Sequence, residues 1–302
     1  MKRIAVLMAA YNGEEYLLKQ VESILNQQGV EVDVFISVDR STDSTSQICQ
    51  RLVAIHENIH LLSLGLRFGC AAKNFYRLLR DVNFESYDYV SFADQDDIWL
   101  EDKLTTAISK IEEHNVDAYS SNVTAFWEDG RELLIEKSQP QREFDYLFEA
   151  AGPGCTYVFK KHLAQKIKAF LLQNPKSDNF ILHDWLCYAF ARINGYNWFI
   201  DSQSKMRYRQ HQLNQVGVNN SLTSLWHRAK YVLFKDGLSQ VALLLSLFEP
   251  EMLPSKLRKW QKFGFFERFS MIFSTNQLRR KSNERFFVVI VLIISLFKGV
   301  SR

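Results

Sequence analysis

The sequence predicts an α/β protein with a mostly parallel sheet covered by helices on both faces. Two observations lead to this fold class. The first hundred residues alternate short apolar strands with amphipathic helices. The chain, with 302 residues of which 47% are hydrophobic and 24% charged, also has the length and composition of an ordinary globular protein. Strands alternating with helices of this length form parallel sheets, in which ligands bind at the carboxyl ends of the strands.

Seven elements account for the first hundred residues, because apolar runs predict strands and helical spacing predicts helices. In chain order they are a strand at 4–8, a helix at 14–26, a strand at 32–38, a helix at 41–55, a strand at 60–64, a helix at 71–82 and a strand at 87–93. From about residue 122 the alternation fades. A strand at 157–159 and an apolar helix ending near Ile193 follow, and everything beyond Thr223 has helical spacing.

Three carboxylates crowd the end of the fourth predicted strand. Asp94, Asp96 and Asp97 follow the apolar run at 89–93, and like charges at this density repel unless a cation neutralises them. Oxygen ligands at an open site are typical of Mg²⁺ or Mn²⁺, which keep positions for water and phosphate oxygens. The pattern predicts a metal site that holds a diphosphate.

Other interpretations fit parts of this acidic run. A loop capping the helix that starts near Glu101 accounts for one aspartate but not for three. A calcium loop of the EF-hand type fails, because Ile98 and Trp99 stand where an oxygen ligand and a glycine are needed. A phosphatase with an aspartyl nucleophile stays open.

Three loops follow strands that end at the same edge of the predicted sheet, at 9–13, 39–43 and 94–97. Asp39, in the second loop, can accept hydrogen bonds from a base or a ribose. It can equally cap the helix that follows it, and the residues alone do not decide between these roles.

The net charge of +3 is unevenly distributed. From Pro254 onward there are 11 Lys or Arg and 2 Glu, a net charge of +9, which leaves −6 on the rest of the chain. Residues 286–297 are apolar apart from one serine, and this run is too short to span a bilayer comfortably. An interfacial helix on an anionic membrane is therefore favoured over a nucleic-acid partner. Packing on the core, or against a second copy in a homodimer, is the alternative.

The four cysteines lie far apart without a C-x-x-C pair, which favours a reducing compartment over a disulfide framework or a zinc site. The apolar run at the N-terminus is too short for a signal peptide and favours a first buried strand.

Six short motifs occur in a fixed order along residues 2–217. They are Ala10-Tyr11-Asn12-Gly13, Val38-Asp39-Arg40-Ser41-Thr42-Asp43, Asn74-Phe75, Asp94-Gln95-Asp96-Asp97-Ile98-Trp99-Leu100, Gly154-Cys155-Thr156 and His183-Asp184-Trp185. In this order they resemble glycosyltransferase family 2 and, more narrowly, the bacterial rhamnosyltransferases that build surface polysaccharide such as O-antigen. The resemblance implies a GT-A fold and transfer with inversion at the anomeric carbon.

The resemblance also implies a role for each motif. Asp94 and Asp96 match the D-x-D motif that holds Mg²⁺ or Mn²⁺, Asp97 lies nearby, and Asp184 matches the catalytic base. His211 is a further metal ligand by this resemblance, and Arg209 contacts the diphosphate. The implied donor and nucleotide contacts are Ala10, Tyr11, Asn12, Asp39, Asn74, Asp94 and Gln95. The implied acceptor contacts are Gly154, Cys155, Thr156, His183 and Trp185. Arg40 departs from the family pattern, in a loop one residue shorter than in many relatives, so the base contacts there stay open.

The residues around Asp184 agree with the role of a base. Apolar neighbours such as Leu182 and Leu186 desolvate a carboxylate and raise its pKa, so that it can take a proton from an acceptor hydroxyl. His183 either orients this carboxylate or is an ordinary buried histidine. Trp185 either stacks on the acceptor sugar or belongs to the core.

We therefore expect a nucleotide-sugar-binding half at 1–120, an acceptor-binding half at 121–217 and a basic, membrane-associating helical region at 218–302. The expected substrates are dTDP-L-rhamnose and an oligosaccharide linked to undecaprenyl diphosphate, at the cytoplasmic face of the bacterial membrane, with no nucleic acid as partner. Transfer of galactose or N-acetylglucosamine from a UDP-sugar is the alternative. A nucleotidylyltransferase would need a glycine-rich basic loop where Glu14 and Glu15 stand.

Overall fold

The computed structural model describes residues 1–211 and 237–298. The strands, in chain order, are β1 (Lys2–Ala10), β2 (Val30–Val38), β3 (Ile59–Leu61), β4 (Tyr89–Asp94), β5 (Ile98–Trp99), β6 (Ala118–Ser121), β7 (Val123–Phe126), β8 (Glu132–Ile135), β9 (Val158–Lys160), β10 (Trp198–Asp201) and β11 (Met206–Arg209). Seven of them form one sheet in the order β10-β6-β9-β4-β1-β2-β3. Every neighbouring pair in this sheet is parallel except those of β9, which runs antiparallel to β4 and β6. The predicted α/β class is confirmed.

The helices are α1 (Leu17–Leu25), α2 (Thr45–Ile55), α3 (Ala71–Asp81), α4 (Lys103–Glu113), α5 (Lys161–Gln173), α6 (His183–Ile193), α7 (Leu238–Ser246), α8 (Ser255–Trp260), α9 (Phe265–Ile272), α10 (Thr275–Leu278) and α11 (Ser282–Lys298). They cover both faces of the large sheet. Ala5 and Leu7 of β1 face the core made with α3, α5 and α6, while Val6 and Met8 face the core made with α1, α2 and α4. This alternation follows from the two-residue repeat of a strand.

A second sheet of four strands, in the order β5-β11-β7-β8, was not predicted. β11 pairs antiparallel with β5, so that Met206 lies opposite Trp99 and Arg207 opposite Ile98. β5 directly follows the acidic run. Its pairing with β11 therefore brings the C-terminal end of β11 and the chain after it close to the side chains of Asp96 and Asp97.

Several predicted boundaries are wrong by two to four residues, among them the start of the helix predicted at 41–55, which begins at Thr45. Two boundary differences have a visible local cause. α1 begins at Leu17 and not at residue 14, because Asn12 has a positive φ of 45° and the Gly13 carbonyl accepts hydrogen bonds from the Tyr16 and Leu17 amides in a turn. β3 ends at Leu61, and the chain beyond it is exposed at Leu64 and Leu66.

The helices after residue 237 pack on the body of the protein. Val241, Leu244, Trp260, Val288 and Leu292 are buried in the same continuous core as the side chains of α3 and α6. The prediction of helical structure is confirmed over 237–298, while the predicted boundary at 217/218 and the helical onset at Thr223 lie outside the described residues. No helix in the described ranges is both long and apolar enough to cross a membrane. The C-terminal helical region therefore forms a layer of helices, and the inner side of this layer packs into the core.

Candidate active site

The loops after β1 and β2 are joined by side-chain hydrogen bonds to backbone groups. Asn12 Oδ1 accepts from the Thr42 amide at 2.8 Å, and Thr45 Oγ1 accepts from the Gly13 amide at 2.7 Å. Gln95 holds the first loop from the other side, since its amide exchanges two hydrogen bonds of 2.7 Å with the backbone of Tyr11. Gln95 therefore positions the loop. The Tyr11 side chain is 55% exposed and free to meet a nucleotide base.

Gly13 is required at the contact between these loops. A Cβ atom there would lie 2.3 Å from Gln95 Oε1, so any larger residue would displace the side chain that holds Tyr11. The close approach explains why glycine ends the motif Ala10-Tyr11-Asn12-Gly13.

Asp39 is buried and hydrogen-bonded to the protein. Its Oδ1 accepts from the amides of Arg40 and Phe68 at 2.8 Å, and its Oδ2 accepts from the Gly69 amide at 2.7 Å. The carboxylate thus fixes residues 68 and 69 beside the end of β2. These three amides use part of the capacity of the Asp39 carboxylate to accept hydrogen bonds. Only the remaining capacity is available to a base or a ribose.

Asn74 lies beneath the site. Its Nδ2 donates to the carbonyls of Ser37 at 2.9 Å and Ala10 at 3.4 Å, and the side chain is 2% exposed. Asn74 therefore ties β2 to β1 from α3. This corrects the predicted donor contact, because the side chain is covered by the strand ends that it joins.

Asp94, Asp97 and Cys155 form one compact cluster, with a side-chain ligand atom of each within 4.8 Å of the others. Asp97 Oδ1 accepts from the Arg209 amide at 3.1 Å, whereas its Oδ2 is buried without a hydrogen-bond partner among the residues that the structure describes. Burial and the negative charges of Asp96 and Asp184 raise the pKa of Asp94 to about 7. Crowded carboxylates, one of them with a buried oxygen that has no hydrogen-bond partner in the described residues, fit a divalent cation.

Asp96 points to a different partner. Its Oδ2 lies 2.7 Å from His211 Nε2, and its backbone carbonyl accepts a 2.8 Å hydrogen bond from Arg209 Nε. The Arg209 guanidinium also lies 4.4 Å from the Tyr16 ring centroid. Asp94, Asp96 and His211 do not form a single cluster of ligand atoms in the described structure, because the Asp96 carboxylate is turned towards β11.

The turn at Gly154–Thr156 joins the acidic cluster to Asp184. A Cβ atom on Gly154 would lie 3.2 Å from Asp184 Cβ and 2.6 Å from His183 Nε2. The next residue, Cys155, contacts Asp94 and Asp97. Two consecutive residues therefore connect the predicted base with the predicted metal site. Cys155 and Thr156 are buried, so the structure places them behind the site, which corrects their predicted acceptor contacts.

Asp184 is the second residue of α6 and is half-buried, with Oδ1 accepting from the Trp185 amide at 2.8 Å. Burial raises the pKa of its carboxyl from 3.8 to about 6, and the Trp185 amide and the Lys137 ammonium oppose this shift. A carboxylate with a raised pKa is a stronger base than an exposed one, yet it is still ionised near neutral pH.

The two neighbours of Asp184 are core residues. His183 stacks on Phe75 at 3.9 Å, burial lowers its pKa to about 3, and its Nε2 has no hydrogen-bond partner within the described ranges. It does not orient Asp184 by a hydrogen bond. Trp185 is 4% exposed and donates its indole N–H to the Tyr146 carbonyl at 2.7 Å. These contacts favour the core alternative for Trp185 over stacking on an acceptor sugar.

Lys103 is a residue near the site that the sequence analysis missed. Its side chain is 2% exposed, its Nζ lies 3.5 Å from the Trp99 ring centroid, and burial lowers its pKa to about 7. The positive charge lies beside Asp97 and Cys155. A lysine in the first turn of a helix interacts unfavourably with the helix dipole. This unusual position is the sequence signal that could have pointed to Lys103.

Comparison with known proteins agrees with this geometry. The family model described as "Glycosyl transferase family 2" matches residues 5–164. The chain is 41% identical over 293 residues to the dTDP-rhamnosyl transferase RfbG of Shigella flexneri, and this match covers 96% of the chain and 100% of the relative. It is 30% identical over 141 residues to the putative teichuronic acid biosynthesis glycosyltransferase TuaG of Bacillus subtilis, which covers 47% of the chain and 51% of that relative.

Solved structures show the same fold at low identity. TarS 1-349 of S. aureus in complex with UDP is 16% identical, with a TM-score of 0.57 over 99% of this chain and 92% of that chain. The mannosyltransferase PcManGT of Pyrobaculum calidifontis, in complex with GDP-Man and Mn²⁺, is 16% identical, with a TM-score of 0.54 over 99% of this chain and 88% of that chain.

Proposed function

The chain belongs to glycosyltransferase family 2, and we propose that it is an inverting, metal-dependent enzyme that transfers L-rhamnose from dTDP-L-rhamnose. It is a glycosyltransferase with the GT-A fold. The observation that carries the proposal is the position of Asp184, which contacts one end of the turn Gly154–Cys155 while Asp94 and Asp97 contact the other. A proton acceptor thus lies beside a cluster suited to a diphosphate.

In the proposed reaction Asp184 takes the proton from the acceptor hydroxyl. The acceptor oxygen forms a bond to the anomeric carbon as the bond from that carbon to the diphosphate oxygen breaks, and the electron pair leaves on the diphosphate. One displacement inverts the anomeric configuration, and the transition state has oxocarbenium character. Because its pKa is about 6, Asp184 is ionised at neutral pH and ready to accept the proton.

The residues that would hold a divalent ion are Asp94 and Asp96, with Asp97 and His211 beside them. When bound, Mg²⁺ or Mn²⁺ supplies Lewis-acid neutralisation of the charge on the departing diphosphate. The orphaned Oδ2 of Asp97 and the raised pKa of Asp94 support this proposal, since both are unfavourable without a nearby cation. The Mn²⁺ complex of PcManGT, a protein of the same fold, agrees with it.

The match to a protein named dTDP-rhamnosyl transferase, over the whole length of that protein, supports rhamnose as the sugar. We therefore propose a role in the synthesis of O-antigen or another surface polysaccharide. The donor is tested by thermal shift with dTDP-L-rhamnose, UDP-galactose and UDP-N-acetylglucosamine, each with and without Mn²⁺. Stabilisation by dTDP-L-rhamnose that requires Mn²⁺ is expected, and a larger shift with either UDP-sugar would contradict the rhamnose assignment.

Exposed apolar side chains on α9 and α11 support the proposal that the acceptor is linked to a lipid. These two helices pack against each other, and their outer side carries large apolar side chains that are 40–85% exposed. We call this set the phenylalanine face: Phe265, Phe266, Phe269, Phe273, Phe286, Phe287, Ile293 and Phe297. Large apolar residues next to a cationic segment suit an anionic membrane surface. We propose that the protein binds there at the cytoplasmic face and takes an acceptor linked to undecaprenyl diphosphate.

A further inference from the structure

One short segment, residues 148–156, lies between the helices that follow residue 237 and the site. Arg279 Nη1 donates to the Phe148 carbonyl at 2.6 Å, and Arg280 Nη2 donates to the Ala150 carbonyl at 2.6 Å. Further along, the same segment reaches Asp184 at Gly154. The junction between α10 and α11 is thus fastened to the wall of the active site.

Lys137 lies against the middle of this segment. A Cβ atom on Gly152 would be 3.6 Å from Lys137 Cβ, so the two residues are close neighbours. The backbone at Lys137 is fixed, because Asn122 Oδ1 accepts from the amides of Lys137 at 2.6 Å and Ser138 at 3.0 Å. Lys137 is half-buried, and its side chain starts from this fixed backbone position.

The ammonium group of Lys137 has no hydrogen bond or ion pair within residues 1–211 and 237–298. Two carboxylates that interact with its charge, Glu149 and Glu284, are paired with arginines. Glu149 lies 3.1 Å from Arg280, and Glu284 lies 2.6 Å from Arg279. A partly desolvated cation without a partner is unfavourable unless an anion binds to it.

The charge of Lys137 interacts with Asp184 and with charged groups at and just before the start of α11. Its positive charge lowers the pKa of Asp184. Burial and the positive charge of Arg279 lower the pKa of Lys137 itself, and Glu284 and Glu149 oppose that change. The contacts of residues 148–154 give the order in space. Arg279 and Arg280, just before α11, bind the carbonyls of Phe148 and Ala150, Lys137 lies beside Gly152, and Asp184 lies beside Gly154.

We propose that Lys137 binds a phosphate group of the acceptor, and that the acceptor is a sugar linked to a prenyl diphosphate. In such a molecule the diphosphate lies between the sugar, whose hydroxyl must reach Asp184, and the lipid, which would lie on the phenylalanine face. The Lys137 ammonium, beside the segment that joins the start of α11 to Asp184, is placed to meet that diphosphate. The inference rests on the proposed function only in taking the acceptor to be lipid-linked, and it adds the residue that recognises the phosphate.

The test measures binding of farnesyl diphosphate by calorimetry to the full-length protein saturated with dTDP and Mn²⁺, so that the donor side is occupied. Lys137→Met keeps the length of the side chain and removes its charge, and its Kd is expected to rise about tenfold. Lys137→Arg is expected to stay within about threefold of the wild-type Kd. The exposed Lys166 on α5 provides the control Lys166→Ala, which is expected to have the wild-type Kd. dTDP affinity in each variant reports correct folding.

A wild-type Kd for farnesyl diphosphate in Lys137→Met, or no binding to the wild type at millimolar concentration, would overturn the proposal. So would equal affinity and equal Lys137 dependence for dihexanoyl-phosphatidylglycerol, because the site would then recognise a phospholipid headgroup. The readout does not require turnover. If rhamnose transfer fails while the binding of farnesyl diphosphate still depends on Lys137, the proposed function is wrong and the proposed phosphate site stands.

Discussion

The carboxylate of Asp96 and the imidazole of His211 lie 2.7 Å apart, although 115 positions separate them in the chain. The antiparallel pairing of β11 with β5 brings them together, since each residue follows or precedes one of these strands closely. The proposed metal site thus draws on two distant parts of the chain, and each part can be tested separately.

Replacing Asp96 is expected to abolish metal-dependent donor binding. Asp96→Ala removes a carboxylate that would contact the ion, and changes to residues that merely support a metal ligand already weaken binding by about 10–100-fold. Calorimetry with the nucleotide sugar and Mn²⁺ is expected to show at least this loss. The exposed Asp129 supplies the control Asp129→Asn, and an Asp96→Ala affinity equal to that of this control would remove Asp96 from the metal site.

The pKa of Asp184 predicts a stability change together with a change in activity. Its folded-state pKa of about 6 lies above the ordinary 3.8, so ionisation of Asp184 destabilises the fold as the pH rises through this range. Asp184→Asn is therefore expected to stabilise the protein at pH 8 by about 1–3 kcal/mol, a gain that shrinks below pH 6. Denaturant unfolding at pH 8 and pH 5 measures this. A gain that is independent of pH would contradict the raised pKa.

The raised pKa of Asp184 also predicts how the activity of the wild-type enzyme depends on pH. Turnover is expected to increase as the pH rises through about 6, because Asp184 must lose its proton before it can act as a base. The measurement is kcat between pH 5 and pH 8.5 at saturating donor and acceptor. A flat profile across pH 6 would mean that another group accepts the proton.

The phenylalanine face is expected to bind anionic vesicles. Phe266 is 79% exposed and Phe297 is 85% exposed, so the double variant Phe266→Ser/Phe297→Ser removes apolar area without opening the core. Its partition into vesicles of phosphatidylglycerol is expected to fall about tenfold or more in a sedimentation assay. Leu134→Ser, at a position 53% exposed on β8, is the control. Equal sedimentation of the double variant and this control would favour a protein partner over lipid.

Arg280 is expected to hold the C-terminal helices in place. The buried Arg280 lies 3.6 Å from Asp145, which is 0% exposed, and 3.1 Å from Glu149. Arg280→Ala leaves both carboxylates short of a partner and is expected to lower the free energy of unfolding by about 3–5 kcal/mol. The exposed Arg131 gives the control Arg131→Ala, and a similar unfolding midpoint for both variants would show that Arg280 contributes little.

The alternation of apolar strands and helices predicted the sheet, because each element has a clear local pattern. The acidic run and Asp184 could be singled out because each lies on or directly beside such an element. Sequence reasoning could not place residues whose environment is set by distant contacts. β5 has two residues, so its pairing with β11 leaves no recognisable pattern. Trp185 is equally apolar on a cleft or in a core, and only the Tyr146 carbonyl decides its position. Along α11, Val288 is covered and Phe286 is exposed, although both belong to one apolar run.

In the proposed mechanism Asp184 acts on the acceptor while the acidic cluster holds the donor. The most direct test is the rate of rhamnose transfer by Asp184→Asn, measured together with its affinity for the donor. We predict unchanged donor affinity and a loss of kcat of about 10²–10⁴-fold, the usual contribution of a general base. Turnover near the wild-type rate with intact donor binding would contradict this account of the site.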